Sequence, residues 1–458
     1  MTPTLGGPHD PLYADVRARL AVLRARSGAP VPPDVAASAR NVVILGSSSR
    51  GGSSIFAELL RQSPHLLHFR GETNPFLRLH GADGPQPGSG VADSDALSDD
   101  DPVPAALGAD LGWDCGRPTR TLRPGDDEWR FACEIAARLT LQWPLLAVDL
   151  DHVAAAVGEV LRRLRASEAW PADGFLDAQA FHARLLGLLR RRWPEIHPAA
   201  YDIDRRLILA HCPGPWPDPF IPGPLVEEPP FVLVTPWSVA TAEEVASLPI
   251  VLKTPSNAYR IGWFQRLFTH ARVRLLHLTR SVAGSVNGLY DGWRYAGFHS
   301  HRLPEDAGPL AIAGYSDVAP GGDRWWKFDR PPGWQAHVCS PLEHVCAFQW
   351  RSAHAALLAA PIGKENAADR LRLHFEDLVG EPERQRRSLA QLGAWLDVPV
   401  TELGNVLDAG LPLVMATERP RARRWFDRID LLAPLLADPV HRHLMEALGY
   451  DPDPNTWG

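Results

Sequence analysis

The residues best equipped for chemistry stand in GSSSRGGSS, positions 46 to 54, where an apolar run ends in a loop of small residues around one arginine. Glycines at the start of a helix expose backbone N–H groups, and these unpaired donors together with the helix dipole attract an anion. Gly46, Gly51 and Ser53 match the phosphate loop G-x-x-x-x-G-K-[ST], but Gly52 stands at the lysine position. Arg50 supplies a cation from the loop side, and Ser53 and Ser54 place hydroxyls at the first helical positions. The lysine of that motif neutralises the outer phosphates of a nucleoside triphosphate held with magnesium. A ligand with a single 5′-phosphate carrying one transferable group does not need it.

A second anion site is expected where VRLLHLTRSVAGSVNGLYDGW (273–293) turns from a strand ending at Arg280 into a helix capped by Ser281. Ligands of parallel sheets sit at the carboxyl ends of strands, so the two loops can face one cleft. Two phosphate sites point to a nucleoside bisphosphate.

The elements that must position these loops are short apolar runs separated by helix-like sequence. VVIL (42–45), FVLV (231–234), IVLK (250–253), VRLLHL (273–278) and RLRLHF (370–375) read as strands of an α/β domain with a mostly parallel sheet. PLYADVRARLAVLRAR (11–26) has the apolar spacing of an amphipathic helix. Residues 82 to 108, with GPQPGSG and SDDD, read as a mobile surface loop or lid, and 212 to 231 are too proline-rich for regular structure. The expected organisation is an N-terminal helical segment (1–40), a core made of 41–83 and 248–458, and a helical, proline-rich insertion (84–247) on the acceptor side.

The 458 residues carry a formal charge of −7, which argues against a surface that coats nucleic acid but leaves room for a local basic pocket. Five scattered cysteines without a CxxC pair fit buried thiols in a reducing compartment and not a disulfide frame or zinc site. MTPTLGGPHD lacks a secretory leader's features, and no apolar run of 18 residues is present to span a membrane. A cytoplasmic location is expected.

These segments resemble the sulfotransferases that use 3′-phosphoadenosine 5′-phosphosulfate (PAPS), most closely bacterial members with a tyrosylprotein-sulfotransferase-like arginine loop and "GE" motif. SSSRGGSSIFAELLRQSPHLLHFRGETNPF is similar to the family's 5′-phosphosulfate loop, LLHLTRSVAGSVN to its 3′-phosphate motif, and LPIVLKTPSN to its "vlKsP" strand end. LRLHFEDLVGEPERQRRSLAQLGAWLDVP and the tail RARRWFDRIDLLAPLL…MEALGYD also follow the family pattern. The likeness covers about 41–80 and 248–451. It implies a P-loop-like three-layer fold and sulfuryl transfer to the hydroxyl of a small-molecule or natural-product acceptor, without a metal.

On that resemblance Arg50, Gly51, Gly52, Ser53 and Ser54 hold the 5′-phosphosulfate. Arg280, Ser285, Arg423 and Arg424 hold the 3′-phosphate, Lys253 assists the sulfonate, and Glu72 is the general base. The chain departs from the family in following Arg50 with two glycines, in lacking the proline of the 3′ motif, and in placing Gly288 where a serine is usual. Two other readings of the loop are a degenerate nucleotide kinase and a non-catalytic nucleotide-binding protein. Outside these motifs, FHSH (298–301) is expected in an exposed turn, Asp149 as a helix cap, and Glu376 with Asp377 at a structural junction. The aromatic runs YDGWRYAGF and DRWWKFDRPPGW either wall an acceptor pocket or pack on themselves.

Overall fold

The computed structural model describes residues 11–82, 94–167, 176–212, 214–216, 220–303, 308–364, 366–411, 414–418 and 421–457. Its strands, in chain order, are β1 (Asn41–Gly46), β2 (Leu67–Phe69), β3 (Cys115–Pro118), β4 (Trp237–Val239), β5 (Ile250–Lys253), β6 (Arg272–Thr279), β7 (His299–Arg302), β8 (Trp325–Lys327) and β9 (Arg370–His374). Seven of them form one sheet in the order β4-β3-β2-β5-β1-β6-β9, and β7 with β8 make a separate hairpin. The β2, β5, β1, β6 and β9 pairings are parallel, while β3 runs antiparallel to both β2 and β4.

β1 is buried on both faces, as a central parallel strand requires. Val42 and Ile44 pack into one apolar cluster with Val16 and Leu20 of the helix Pro11–Arg26, Trp263, Phe264 and Leu357. Val43 and Leu45 point the other way, onto Phe56 and Leu59 of the helix Ser53–Leu60 and Leu389 and Leu392 of the helix Pro382–Leu396. Helices therefore cover both faces of the sheet, a three-layer α/β fold.

The segment 84–247 supplies the edge strand β4 and its neighbour β3 as well as helices. The helices Asp126–Gln142, Leu150–Ala166 and Ala178–Leu189 close around a separate apolar cluster with Phe131, Val157, Phe181 and Phe231. Asp149 caps the helix Leu150–Ala166 by accepting from the amides of Asp151 and His152. All five cysteines are free, four of them buried. Among the described residues no helix is long and apolar enough to cross a membrane.

Three local expectations change. Among the described residues FVLV (231–234) does not join the sheet, and Phe231 alone of the four pairs, in an isolated bridge with Tyr201. His299 and His301 are buried in β7 and not in an exposed turn, and His301 Nε2 lies 3.2 Å from the buried Asp95 carboxylate. That carboxylate also accepts from Ser256 Oγ and the Arg330 amide, so the 94–97 part of the expected lid is pinned to the core. GPQPGSG lies outside the described residues.

Candidate active site

The loop after β1 turns through Arg50 (φ 60°) and Gly52 (φ 93°) before the helix Ser53–Leu60 begins. Each glycine of the doubled pair has its own steric reason. A Cβ on Gly51 would stand 2.2 Å from Ser47 Oγ and 2.8 Å from the Ser48 carbonyl, because the loop folds on itself. A Cβ on Gly52 would stand 2.2 Å from the Phe375 ring, in a backbone conformation that only glycine adopts freely. Gly52 makes no side-chain cap, so the first-turn amides stay open toward a ligand. Ser47 Oγ and Ser48 Oγ are buried, and among the described residues neither has a hydrogen-bond partner.

The helix Val282–Arg294, capped by Ser281, carries a second set of glycines on one face. Gly284, Gly288 and Gly292, four residues apart, receive Arg280, Arg50 and Phe328 in turn. A Cβ on Gly284 would lie 2.9 Å from Arg280 Nε, one on Gly288 3.3 Å from Arg50 Cβ, and one on Gly292 2.5 Å from Phe328. Gly288, which replaces the serine usual at that place, thus makes room for Arg50. This 4-residue spacing was readable in VAGSVNGLYDG, but its partners lie far off in sequence.

Arg280 Nη1 donates to the Arg50 carbonyl at 3.0 Å, and its guanidinium lies 5.1 Å over the Phe375 ring. Arg50 donates to the Met415 carbonyl at 2.7 Å and to Thr417 Oγ1 at 3.2 Å, with Phe298 stacked 5.2 Å away. Among the described residues neither arginine makes an ion pair with a carboxylate. Burial, then the neighbouring Arg280 and Arg424, push the Arg50 guanidinium down to about 10. Burial lowers Arg280 as well.

Lys253 ends β5, and its Nζ lies 2.6 Å from Glu72 Oε1. Glu72 follows Gly71, whose missing side chain admits Val232: a Cβ there would lie 2.8 Å from Val232 Cγ2. Arg50, Ser53, Ser54, Arg280, Glu72 and Lys253 line one cleft of about 1430 Å³, and Gly52, Arg423 and Arg424 line it too. Arg424 pairs with Asp291, which also takes Arg428 at 2.5 Å. Ser285 stands apart: it is fully buried, its Oγ has no partner among the described residues, and it does not line the cleft. Gly51 lies beneath the lining. Glu376 holds the junction, accepting from the Ser281 amide at 2.8 Å and from Tyr450 at 2.9 Å.

Reasoning from sequence missed Asp329. It lines the cleft, accepts from Ser49 Oγ, and accepts from Tyr259 at 2.7 Å, while burial pushes its carboxyl up to about 6. Nothing beside it in DRWWKFDRPPGW marks this aspartate out. Trp326 of that run packs inward on Trp293, Trp334 packs on Trp326 and Trp325 on His299, whereas Phe298 and Phe328 line the cleft. Among the described residues six non-glycines have positive φ, and five of them (Arg50, Phe298, Phe328, Met415, Arg423) line this cleft. Backbone strain of this kind gathers at sites where it serves geometry.

No protein-family model matches this chain, and no curated protein matches it. Among solved structures it is similar to the sulfotransferase domain from the curacin biosynthetic pathway, at 12% identity over 90% of this chain and 99% of that one, with a TM-score of 0.35.

Proposed function

We propose that this protein transfers a sulfuryl group from PAPS to an acceptor hydroxyl. The observation that supports this most is the sharing of one cleft by a Glu72–Lys253 pair and two half-buried arginines that, among the described residues, pair with no carboxylate. Burying guanidinium charge costs free energy unless an anion accompanies it. Arg50 and Arg280 therefore fit the 5′- and 3′-phosphates of a nucleoside bisphosphate, with the open amides at Ser53 and Ser54 beside Arg50. When bound, PAPS supplies a sulfuryl group on a phosphate leaving group.

Glu72 takes the proton from the acceptor hydroxyl, and Lys253 Nζ, freed from part of its interaction with Glu72, faces the charge on the sulfonate. Arg50 and the loop amides meet the charge that grows on the leaving phosphate. The 84–247 segment, through Asp202 and residues 227–235, walls the acceptor side of the cleft. A cytoplasmic enzyme acting on a hydroxyl-bearing natural product is the biological setting we infer.

The test is transfer of labelled sulfate from PAPS to a panel of hydroxyl acceptors by the wild type and Glu72→Gln. The substitution should reduce turnover by about 10²–10⁴-fold, the range for a lost general base, while adenosine 3′,5′-bisphosphate still binds. Unchanged turnover in Glu72→Gln would remove Glu72 from the mechanism.

A further inference from the structure

The turn that carries Glu72 is held from two directions, and the two have different sources. From the donor side Arg61 Nη2, just past the helix Ser53–Leu60, donates to the carbonyls of Phe69 at 2.8 Å and Arg70 at 3.1 Å. Beyond Glu72 the Thr73 N–H donates to Thr254 Oγ1 at 3.3 Å, one residue after Lys253. Between these anchors, directly before Glu72, stands Gly71, and it is held from the 84–247 segment.

Asp114, directly before β3, accepts from the Gly71 N–H at 3.4 Å, and its backbone carbonyl accepts from the Arg70 N–H at 3.1 Å. Arg138, on the helix Asp126–Gln142, lies behind the same glycine: a Cβ on Gly71 would stand 2.2 Å from its Nη2. Arg138 Nη1 donates to Asp114 Oδ1 at 3.4 Å, and Nε lies 2.7 Å from Glu227 Oε2. Glu227 accepts in turn from Gln142 Nε2 at 3.1 Å and from the Val232 N–H at 2.7 Å. Arg138, Asp114 and Glu227 are 4%, 5% and 3% exposed, whereas Gly71 and Glu72 are half-buried and line the cleft. Arg138 itself does not line it. Among the described residues its Nη2 has no hydrogen-bond partner, so this nitrogen meets Gly71 by packing alone.

Charges buried this deeply contribute little net stability, because desolvation offsets their attraction. A planar guanidinium set between two carboxylates does fix a direction in space. Each nitrogen of Arg138 has its own contact: Nε at Glu227, Nη1 at Asp114 and Nη2 at Gly71. Resting on the sulfuryl-transfer reading, we propose that Arg138 is a positioning residue that sets, through Asp114 and Gly71, the direction from which Glu72 meets the acceptor hydroxyl. The 84–247 segment thus contributes to turnover through a side chain that touches no substrate.

Two substitutions test this. Arg138→Lys keeps the buried charge but loses the planar fork, and Gly71→Ala puts a methyl group where Nη2 lies. With labelled PAPS and an acceptor from the hydroxyl panel, each should lower kcat by about 10–100-fold, the scale of a small misplacement of a reacting group. The Kd for adenosine 3′,5′-bisphosphate should stay at its wild-type value. Amide hydrogen exchange, which needs no acceptor, should quicken over 69–73 and stay unchanged over 46–60. In a Glu72→Gln background neither substitution should cost anything further, because both act through that carboxylate. Wild-type kcat and exchange in both variants overturns the positioning role and leaves the donor reading standing. Losses that multiply with that of Glu72→Gln, or bisphosphate binding weakened in both variants, mark a general loosening and overturn it too. A wild type that neither binds the bisphosphate nor transfers from PAPS removes the donor reading together with this one.

Discussion

At the donor end of the cleft, side chains pack directly on backbone: Phe375 on Gly52, Arg280 on Gly284, Arg50 on Gly288 and Phe328 on Gly292. Along the 231–235 wall the packing is more open, and Val232, Leu233 and Thr235 are half-buried and line the cleft. The first arrangement leaves little freedom: a methyl group would stand 2.2 Å from a ring at Gly52 and 2.5 Å from one at Gly292. The second consists of part-exposed residues whose replacement changes the shape of the cleft. A ligand that never changes suits the first, and one that varies suits the second. We therefore expect the cleft to be strict toward its donor and tolerant along the 231–235 wall.

The comparison can be broken at several points. The largest expected effect is from Gly52→Ala, which meets the Phe375 ring and a positive φ together. We expect a loss of about 3 kcal/mol of stability and no detectable bisphosphate binding, read by denaturant unfolding and calorimetry. Retained binding would show that the loop tolerates freedom we deny it. Arg280→Met removes a half-buried cation while keeping apolar packing on Phe375. It should weaken adenosine 3′,5′-bisphosphate by about 10–100-fold, the scale of a charge-assisted contact, and weaken a nucleoside 5′-monophosphate much less. Equal losses for the two ligands would detach Arg280 from the 3′-phosphate.

The smallest effect concerns the hairpin behind the site. Burial pushes Lys327 down to about 7, against an ordinary lysine near 10.5. Between those values the unfolded chain holds a proton that the folded chain has lost, so Lys327 makes stability rise with pH from about 7 to about 10. Tm measured across that window should rise more steeply for wild type than for Lys327→Met. Parallel curves would mean that the ammonium is accommodated without cost.

The legibility of the sequence divides along the same line. GSSSRGGSS could be read as a candidate anion site because every part of it lies within nine residues, and Arg280 stood out by ending an apolar strand. The parallel core followed from three runs apolar enough to be buried on both faces and a fourth, RLRLH, that alternates. β3 and β4 escaped notice because CGRP and WSV are short and carry no alternation, and their pairing is set by partners far along the chain. FVLV has the composition of a strand, but whether an apolar run joins a sheet depends on what lies beside it. His299 and His301 read as exposed because Asp95, which pairs with His301, lies about 200 residues away. Asp329 was invisible for the same reason: Ser49 and Tyr259, which hold its carboxylate, come from other elements.

The central claim is a site for a 3′,5′-bisphosphate and not for a triphosphate, and thermal unfolding tests it directly. Adenosine 3′,5′-bisphosphate at about 100 times its Kd should stabilise the protein by about 2.7 kcal/mol, with a matching rise in Tm. ATP with magnesium at the same concentration should leave Tm nearly unchanged. A larger shift with ATP and magnesium, or none with the bisphosphate, would contradict the account.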